Sequence, residues 1–354
     1  VEILVHNSFC ACLVGLAFIF ASTTLAETPL AESFIAVPDA TVWPNLTRLP
    51  DGTILLAGFD KPSHGQVEGD VACWASSDEG VTWSHRGTLT QHAPKTVRMN
   101  QAVGLDRNGK LVALVGGWTD EQQPGAEKRN VFRDAILRPW VCHSEDGGKT
   151  WRVHENYPAD PLGREMVAFG DIVLSEGGRL NASAYGTTYW DKPGPWMPYF
   201  LTSDDDGASW QVRAKMAENL NETALLYLGQ GEWIAASRGK TTVLLRSTDD
   251  GMNWQDEGAI SEARQIPAHL LRLRDGRILL TTGDRNPGGL GVRARISAEK
   301  GKTWGDTWYV ARMAEGDGGY PASLERGDGK ILTLFYGKEG ETYAARAAIW
   351  AVPE

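Results

Sequence analysis

The sequence predicts an all-β fold, a six-bladed β-propeller of four-stranded antiparallel blades with a tight Ser-x-Asp turn in five of them. Three observations carry this reading. A hairpin pattern recurs six times, a second turn motif recurs five times between the hairpins, and no long segment with helical periodicity separates them. The last point disfavours a parallel α/β fold.

The hairpin pattern is an apolar run, a turn ending in Gly, and a second apolar run. It reads NLTRLPDGTILLAGF, QAVGLDRNGKLVALVGG, DIVLSEGGRLNASAYG, ALLYLGQGEWIAASRG, HLLRLRDGRILLTTGDR and ASLERGDGKILTLFYG, with turn glycines at 52, 109, 178, 231, 276 and 329. Asp-Gly, Asn-Gly and Gly-Gly pairs supply the positive φ that short hairpin turns require. The second motif is S-x-D-x-G-x-[TSN]-W, at Ser76, Ser144, Ser203, Ser247 and Ser297, the last with Glu299 in place of Asp. Its carboxylate can bond turn N–H groups, its Gly can take the left-handed position, and its Trp can pack beneath the turn. These are folding elements, expected to lie away from any chemistry. Each unit therefore runs hairpin, third strand, Ser-x-Asp turn, fourth strand, which makes one blade. The sixth unit lacks the turn. It is expected to borrow its outer strand from around Glu32–Val37, beside Tyr343–Val352, so that no sheet edge stays free.

The chain has 354 residues, 35 Lys plus Arg and 45 Asp plus Glu, for a net charge of −10. That acidity argues against nucleic-acid binding and means that an anionic ligand needs a local arginine cluster. The 42% hydrophobic content excludes a disordered chain. Residues 11–20, ACLVGLAFIF, followed by ASTTLA, read as a signal peptide over 1–26, although no Lys or Arg precedes them. Residues 27–354 then form the single propeller domain, secreted or periplasmic, with no further run long enough to span a membrane. Cys73 and Cys142 lack metal-ligand spacing, and they read as small buried strand residues. No glycine loop leads into a helix to cradle phosphates.

Propeller geometry selects a ring of residues. The N-terminal end of each first strand and the C-terminal end of each second strand open on the face opposite the Gly turn. Nine residues before each turn glycine lie Trp43, Asn100, Phe169, Glu222, Pro267 and Tyr320. Seven after it lie Phe59, Gly116, Tyr185, Arg238, Gly283 and Tyr336. A carboxylate, a phenol and an arginine thus converge among aromatic walls, the usual make-up of a small-ligand site. Glu222 and Tyr320 share one offset and can meet across the axis. A phenol is a poor nucleophile until a neighbouring base takes its proton.

These residues resemble the sialidase (neuraminidase) superfamily. The Ser-x-Asp turns resemble its Asp-box repeats. NETALLYLGQGEWIAASR is similar to the segment bearing its catalytic Glu and a substrate-binding Arg, and GGYPASLERGDGKILTLFY to the segment bearing its nucleophilic Tyr. The resemblance implies a retaining exo-glycosidase that acts on terminal sialic acid or a related acidic sugar of a glycan, without metal or cofactor. Tyr320 would be its nucleophile, Glu222 its base partner and Arg238 a carboxylate-binding residue. A neutral phenol suits such a sugar, because an anionic nucleophile would be repelled by the substrate's own carboxylate. The family's first-blade Arg-Ile-Pro is replaced by Val42-Trp43-Pro44, and its next arginine falls near Lys61-Pro62. For the late arginine the sequence offers Arg293 and Arg285, then Arg295, and Arg98 could compensate for the first. The acid/base Asp belongs to the loop FDKPSHGQVEGDVACW, where Asp70 and Glu68 are the candidates, with Asp60 and His64 behind them. Loss of one arginine leaves open a neutral or uronic-type sugar, and a non-catalytic glycan-binding propeller is the reading from another class.

Overall fold

The computed structural model describes residues 28–40, 43–120, 134–161, 163–186 and 195–353, so the expected signal peptide lies outside the described residues. They form strands throughout, with one 3₁₀ turn at Glu176–Gly178. After β1 (Phe34–Val37), the first unit holds β2 (Asn45–Arg48), β3 (Ile54–Phe59), β4 (Val71–Ser76) and β5 (Ser84–Thr88). The second holds β6 (Thr96–Leu105), β7 (Leu111–Thr119), β8 (Trp140–Ser144) and β9 (Arg152–His154). The third holds β10 (Met166–Leu174), β11 (Leu180–Gly186), β12 (Met197–Ser203) and β13 (Gln211–Lys215). The fourth holds β14 (Thr223–Gly229), β15 (Glu232–Arg238), β16 (Thr242–Ser247) and β17 (Gln255–Ala259). The fifth holds β18 (Gln265–Arg272), β19 (Ile278–Asp284), β20 (Gly291–Ser297) and β21 (Trp308–Arg312). The sixth holds β22 (Gly318–Glu325), β23 (Ile331–Glu339) and β24 (Thr342–Trp350).

Each unit is an antiparallel meander, with strands that follow one another in the chain paired side by side. In the sixth, β1 supplies the missing outer strand by pairing antiparallel with β24, Phe34 opposite Ala347 and Val37 opposite Ala345. The first strands touch in a closed cycle, β2 to β6, β10, β14, β18, β22 and back to β2. Buried apolar residues fall into matching clusters, one for each junction between neighbouring units. Leu55, Ala57, Val103 and Ala113 fill the first junction, and Leu279, Val292, Ile331 and Trp350 fill the fifth. Full burial of a side chain as large as Trp233 or Trp350 contributes about 2–3 kcal/mol.

One feature departs from the expected pattern of separate sheets. The second and third units join into one eight-stranded sheet, because β6 and β10 pair in parallel at Ala102–Gly170 and Val103–Asp171. Gly104 permits this approach, since a Cβ there would sit 2.1 Å from the Ile172 carbonyl oxygen. Polar side chains tie first strands together across the middle. Asn45 Nδ2 donates to Val103 O, Gly170 O and Asp171 Oδ1, and His269 Nε2 lies 3.1 Å from Asp171 Oδ2.

The Ser-x-Asp turns join third and fourth strands. In the second, Gly148 N donates to Ser144 Oγ, Thr150 N to Asp146 Oδ1, Thr150 Oγ1 to Asp146 Oδ2 and Trp151 Nε1 to Gly148 O. The longer Glu299 alters the fifth copy, where Thr303 Oγ1 still reaches the carboxylate but buried Trp304 Nε1 is left without a partner. Cys73 and Cys142 are free, buried strand thiols, and burial pushes each up to about 12.

The Gly104 contact is testable. Gly104→Ala forces a methyl group against a carbonyl that two strands hold in place, and it is expected to lower stability by about 2 kcal/mol in urea unfolding.

Candidate active site

Four first strands break register at the face opposite the hairpin turns. The breaks lie between Arg98 and Gln101, Phe169 and Val173, Gln265 and Ala268, and Gly319 and Ala322. The last one sets the position of Tyr320. Gly319 has φ +94°, and a Cβ on it would meet the Gly283 Cα at 3.0 Å. Tyr320 follows with φ +55°, a left-handed conformation that an aromatic residue adopts only at a cost of about 1–3 kcal/mol. Its ring is thereby carried into the aromatic centre, where it packs against Trp43 at 6.3 Å, Phe169 at 6.1 Å and Tyr336 at 5.6 Å between centroids.

Glu222 precedes β14 and Arg238 ends β15. The hairpin brings them together, with Arg238 N donating to Glu222 O. Their side chains close a triangle with the phenol. Tyr320 OH donates to Glu222 Oε1 at 2.7 Å, Arg238 Nη1 donates to Glu222 Oε2 at 2.5 Å, and the same nitrogen lies 2.7 Å from Tyr320 Oη. Glu222 and Tyr320 are buried, and Arg238 is partly open. Burial, followed by the Glu222 charge, pushes the Tyr320 phenol up to about 12, against the opposing pull of Arg238 and Arg285. The Glu222 charge in turn holds the Arg238 guanidinium protonated, well above its ordinary value, despite burial. The phenol is therefore neutral at rest, with a carboxylate placed to accept its proton and a fixed cation beside its oxygen.

Arg285, at the end of β19, lies 5.4 Å over the Tyr320 ring and donates Nε and Nη2 to Gly318 O. Arg293, on β20, donates Nε to Asp284 Oδ2 at 3.0 Å and lies over the Tyr309 ring. Arg295 donates to the Ile260, Trp304 and Gly305 carbonyls. Of the three, Arg285 is the one stacked on the phenol. Thr242 pairs with Arg238 and Ser247 with Trp233. The Ser-x-Asp turn after Ser247 therefore lies at the opposite end of its sheet from Arg238.

Residues 52–333 match the BNR repeat-like domain family. The chain belongs to that family. Its fold is sialidase-like. A protein of unknown function from Dyadobacter fermentans superposes with TM-score 0.76 at 21% identity, over 92% of this chain and all of that one. The Hadza microbial sialidase Hz136 superposes with TM-score 0.71 at 15% identity, over 90% of this chain and 68% of that one. The NanB sialidase from Streptococcus pneumoniae superposes with TM-score 0.69 at 14% identity, over 93% of this chain and 71% of that one. No curated protein matches the sequence.

The remaining candidates in this BNR repeat-like chain are not gathered at the phenol. Asp70 is buried and is held by the connection between β5 and β6. Its Oδ1 accepts from Thr90 Oγ1 and His92 N, and its Oδ2 lies 2.7 Å from His92 Nδ1. Glu68 is exposed and accepts from Lys95 N. Both carboxylates are engaged by the connection between β5 and β6, through Thr90, His92 and Lys95. Asp60 accepts from Asp70 N and Lys61 Nζ. Arg98 donates to Arg138 O and stacks 3.7 Å over Trp140, and burial pushes it down to about 10. It is directed outward from the ring rather than into the place of the missing first-blade arginine. Trp43 is a buried wall.

His64 is different. Its Nδ1 lies 3.0 Å from Asp317 Oδ1, and its ring meets Trp43, Tyr336 and Tyr343 edge-on. Asp317 also accepts from the hydroxyls of Tyr336 and Tyr343. Burial would raise the Asp317 carboxyl, but His64 and the two hydroxyls outweigh it and hold it well below its ordinary value. Sequence reasoning missed Asp317 and Tyr343. The only trace of Asp317 was its place three residues before Tyr320. Among the described residues, no group of three or more His, Cys, Asp or Glu could hold a metal ion, and no helix is long and apolar enough to cross a membrane.

The raised phenol gives a spectroscopic expectation. At pH 10, where an ordinary phenol is half ionised, Tyr320 stays protonated. The phenolate absorbance of native wild type and Tyr320→Phe should therefore coincide at that pH. An excess in the wild type would show that the phenol ionises more easily than its burial allows.

Proposed function

We propose that the six four-stranded units are the blades of a six-bladed propeller, and that its centre is the active site of a retaining exo-glycosidase. The substrate class is a glycan ending in sialic acid or a related acidic sugar. The observation that carries this reading is the closed triangle of Tyr320, Glu222 and Arg238. A binding module has no need of a carboxylate aligned to accept a phenol's proton, whereas a nucleophilic phenol requires one.

In the reaction, Glu222 takes the Tyr320 proton as the phenolic oxygen attacks the anomeric carbon, the bond from that carbon to the leaving-group oxygen breaks, and a glycosyl-tyrosine forms. Water then releases the sugar with its configuration retained, and Glu222 returns the proton. Arg238 stabilises the charge that develops on the phenolic oxygen. Arg238 and Arg285 together offer a carboxylate two guanidinium groups on one side of the ring. A neutral nucleophile beside a substrate carboxylate avoids the repulsion that an Asp or Glu would meet.

A second reading keeps the chemistry and changes the sugar. It is favoured by Trp43, which stands where the family resemblance leads one to expect an arginine and offers an apolar wall instead. With two guanidinium groups rather than three facing the ring, a uronic-type or neutral sugar becomes a competing substrate.

Purified protein is expected to release the fluorophore from an aryl α-sialoside. Tyr320→Phe should reduce kcat by at least about 10³-fold, and Glu222→Gln by roughly 10²–10⁴-fold, with unchanged circular dichroism. Turnover of a different aryl glycoside but no sialoside would select the second reading. Glycan-array binding with no turnover of any glycoside would leave only a binding propeller.

A further inference from the structure

The family resemblance assigns the leaving-group acid to the loop between β3 and β4, whose carboxylates are engaged by other groups. Asp70 is held by Thr90 and His92, Glu68 by Lys95 N, and Asp60 by Lys61 and Asp70 N. His64 is the proton-carrying side chain of that loop which packs against the wall of the site. Its ring lies 5.2 Å from Trp43, which lies 6.3 Å from Tyr320, and 5.9 Å from Tyr336, which lies 5.6 Å from Tyr320. Two aromatic rings thus bridge the imidazole and the phenol.

The imidazole is oriented. Asp317, three residues before Tyr320, engages Nδ1, while Tyr336 OH lies 3.3 Å from the same nitrogen. Because Asp317 is held ionised, it accepts a hydrogen bond from Nδ1–H rather than donating one. Nε2 has no partner among the described residues, and the His64 and Asp317 side chains are 24% and 40% exposed, so a ligand can reach them.

Resting on the glycosidase reading, we propose that His64, positioned by Asp317, is the general acid and base of this chain in place of a carboxylic acid. In the first step the C1–O bond to the leaving group breaks and a Tyr320 Oη–C1 bond forms. His64 Nε2–H passes its proton to the departing oxygen, while Glu222 takes the phenol proton. In the second step neutral His64 Nε2 takes a proton from water as the water oxygen bonds to C1. The bond to Tyr320 Oη breaks, and Glu222 returns its proton to the phenol. Both groups end as they began. Asp317 is a positioning residue, which fixes the tautomer and balances the imidazolium charge.

The test compares methyl and 4-nitrophenyl glycosides of the sugar that the wild type cleaves, since only the poor leaving group needs protonation. His64→Ala should lower kcat/KM at least about 10²-fold on the methyl glycoside and less than about tenfold on the nitrophenyl one. Azide, which attacks without a base, should then raise kcat on the nitrophenyl glycoside. His64→Gln, which can still donate a hydrogen bond to Asp317, should behave as His64→Ala. Asp317→Asn should show the same selectivity with a smaller loss. Equal losses on both leaving groups, recovery by Gln, or no loss at all would overturn the assignment to His64 and leave the glycosidase reading standing. A wild type inert on every glycoside would overturn the glycosidase reading and the His64 role with it.

Discussion

The pairing of β1 with β24 closes the cycle on which the rest of the molecule depends. Without it the sixth unit has three strands and an open edge. Closure matters for chemistry because Tyr320 and Glu222 stand 98 residues apart, in the sixth and fourth units. No local element can hold two such groups at 2.7 Å. Only a cycle of first strands in mutual contact, each wedged by an apolar cluster on either side, can do so. The cross-strand bonds of Asn45, Asp171 and His269 tighten the same cycle below the site.

At the site the deciding quantity is the burial of charge. A carboxylate as buried as Glu222 is costly unless it is paired and fully hydrogen-bonded. Arg238 and the Tyr320 hydroxyl meet both of its oxygens. The same burial keeps the phenol protonated, so the resting site carries one anion and one cation in direct contact, plus a neutral phenol. On the proposed reading, an arriving carboxylate meets guanidinium groups and no unbalanced negative charge. The left-handed backbone at Tyr320 is part of the arrangement, since an extended residue there would follow the pleat of β22 and not the register break.

The turn repeats do different work. In the first four copies the Ser, Asp, Gly and Trp residues satisfy one another within eight residues, at the sheet end remote from the phenol. They specify third-to-fourth strand turns and say little about chemistry. The clearest repeat in the sequence therefore marks the scaffold, while the site is built from positions that the repeat does not contain.

Much of the fold was legible in the residues. Turn glycines and alternating apolar runs are local signals, so the hairpins, the Ser-x-Asp turns and the returning N-terminal strand could be placed by counting. Counting from those glycines also placed Glu222 and Tyr320 at equal offsets and Arg238 at the matching end of the second strand, because strand length sets height. Which way a loop side chain turns is not encoded by such spacing. Asp70, Glu68 and His64 lie in one loop, yet two engage the connection between β5 and β6 while the third faces Asp317, from a segment more than 250 residues later. Arg285 and Arg293 were likewise equivalent on paper, and were separated by the strand end that carries one over Tyr320 and the mid-strand place that commits the other to Asp284. The sequence alone determined strand order and the level of each strand-borne residue. Tertiary structure decided the direction of loop side chains, because that depends on contacts between units that are distant in the chain.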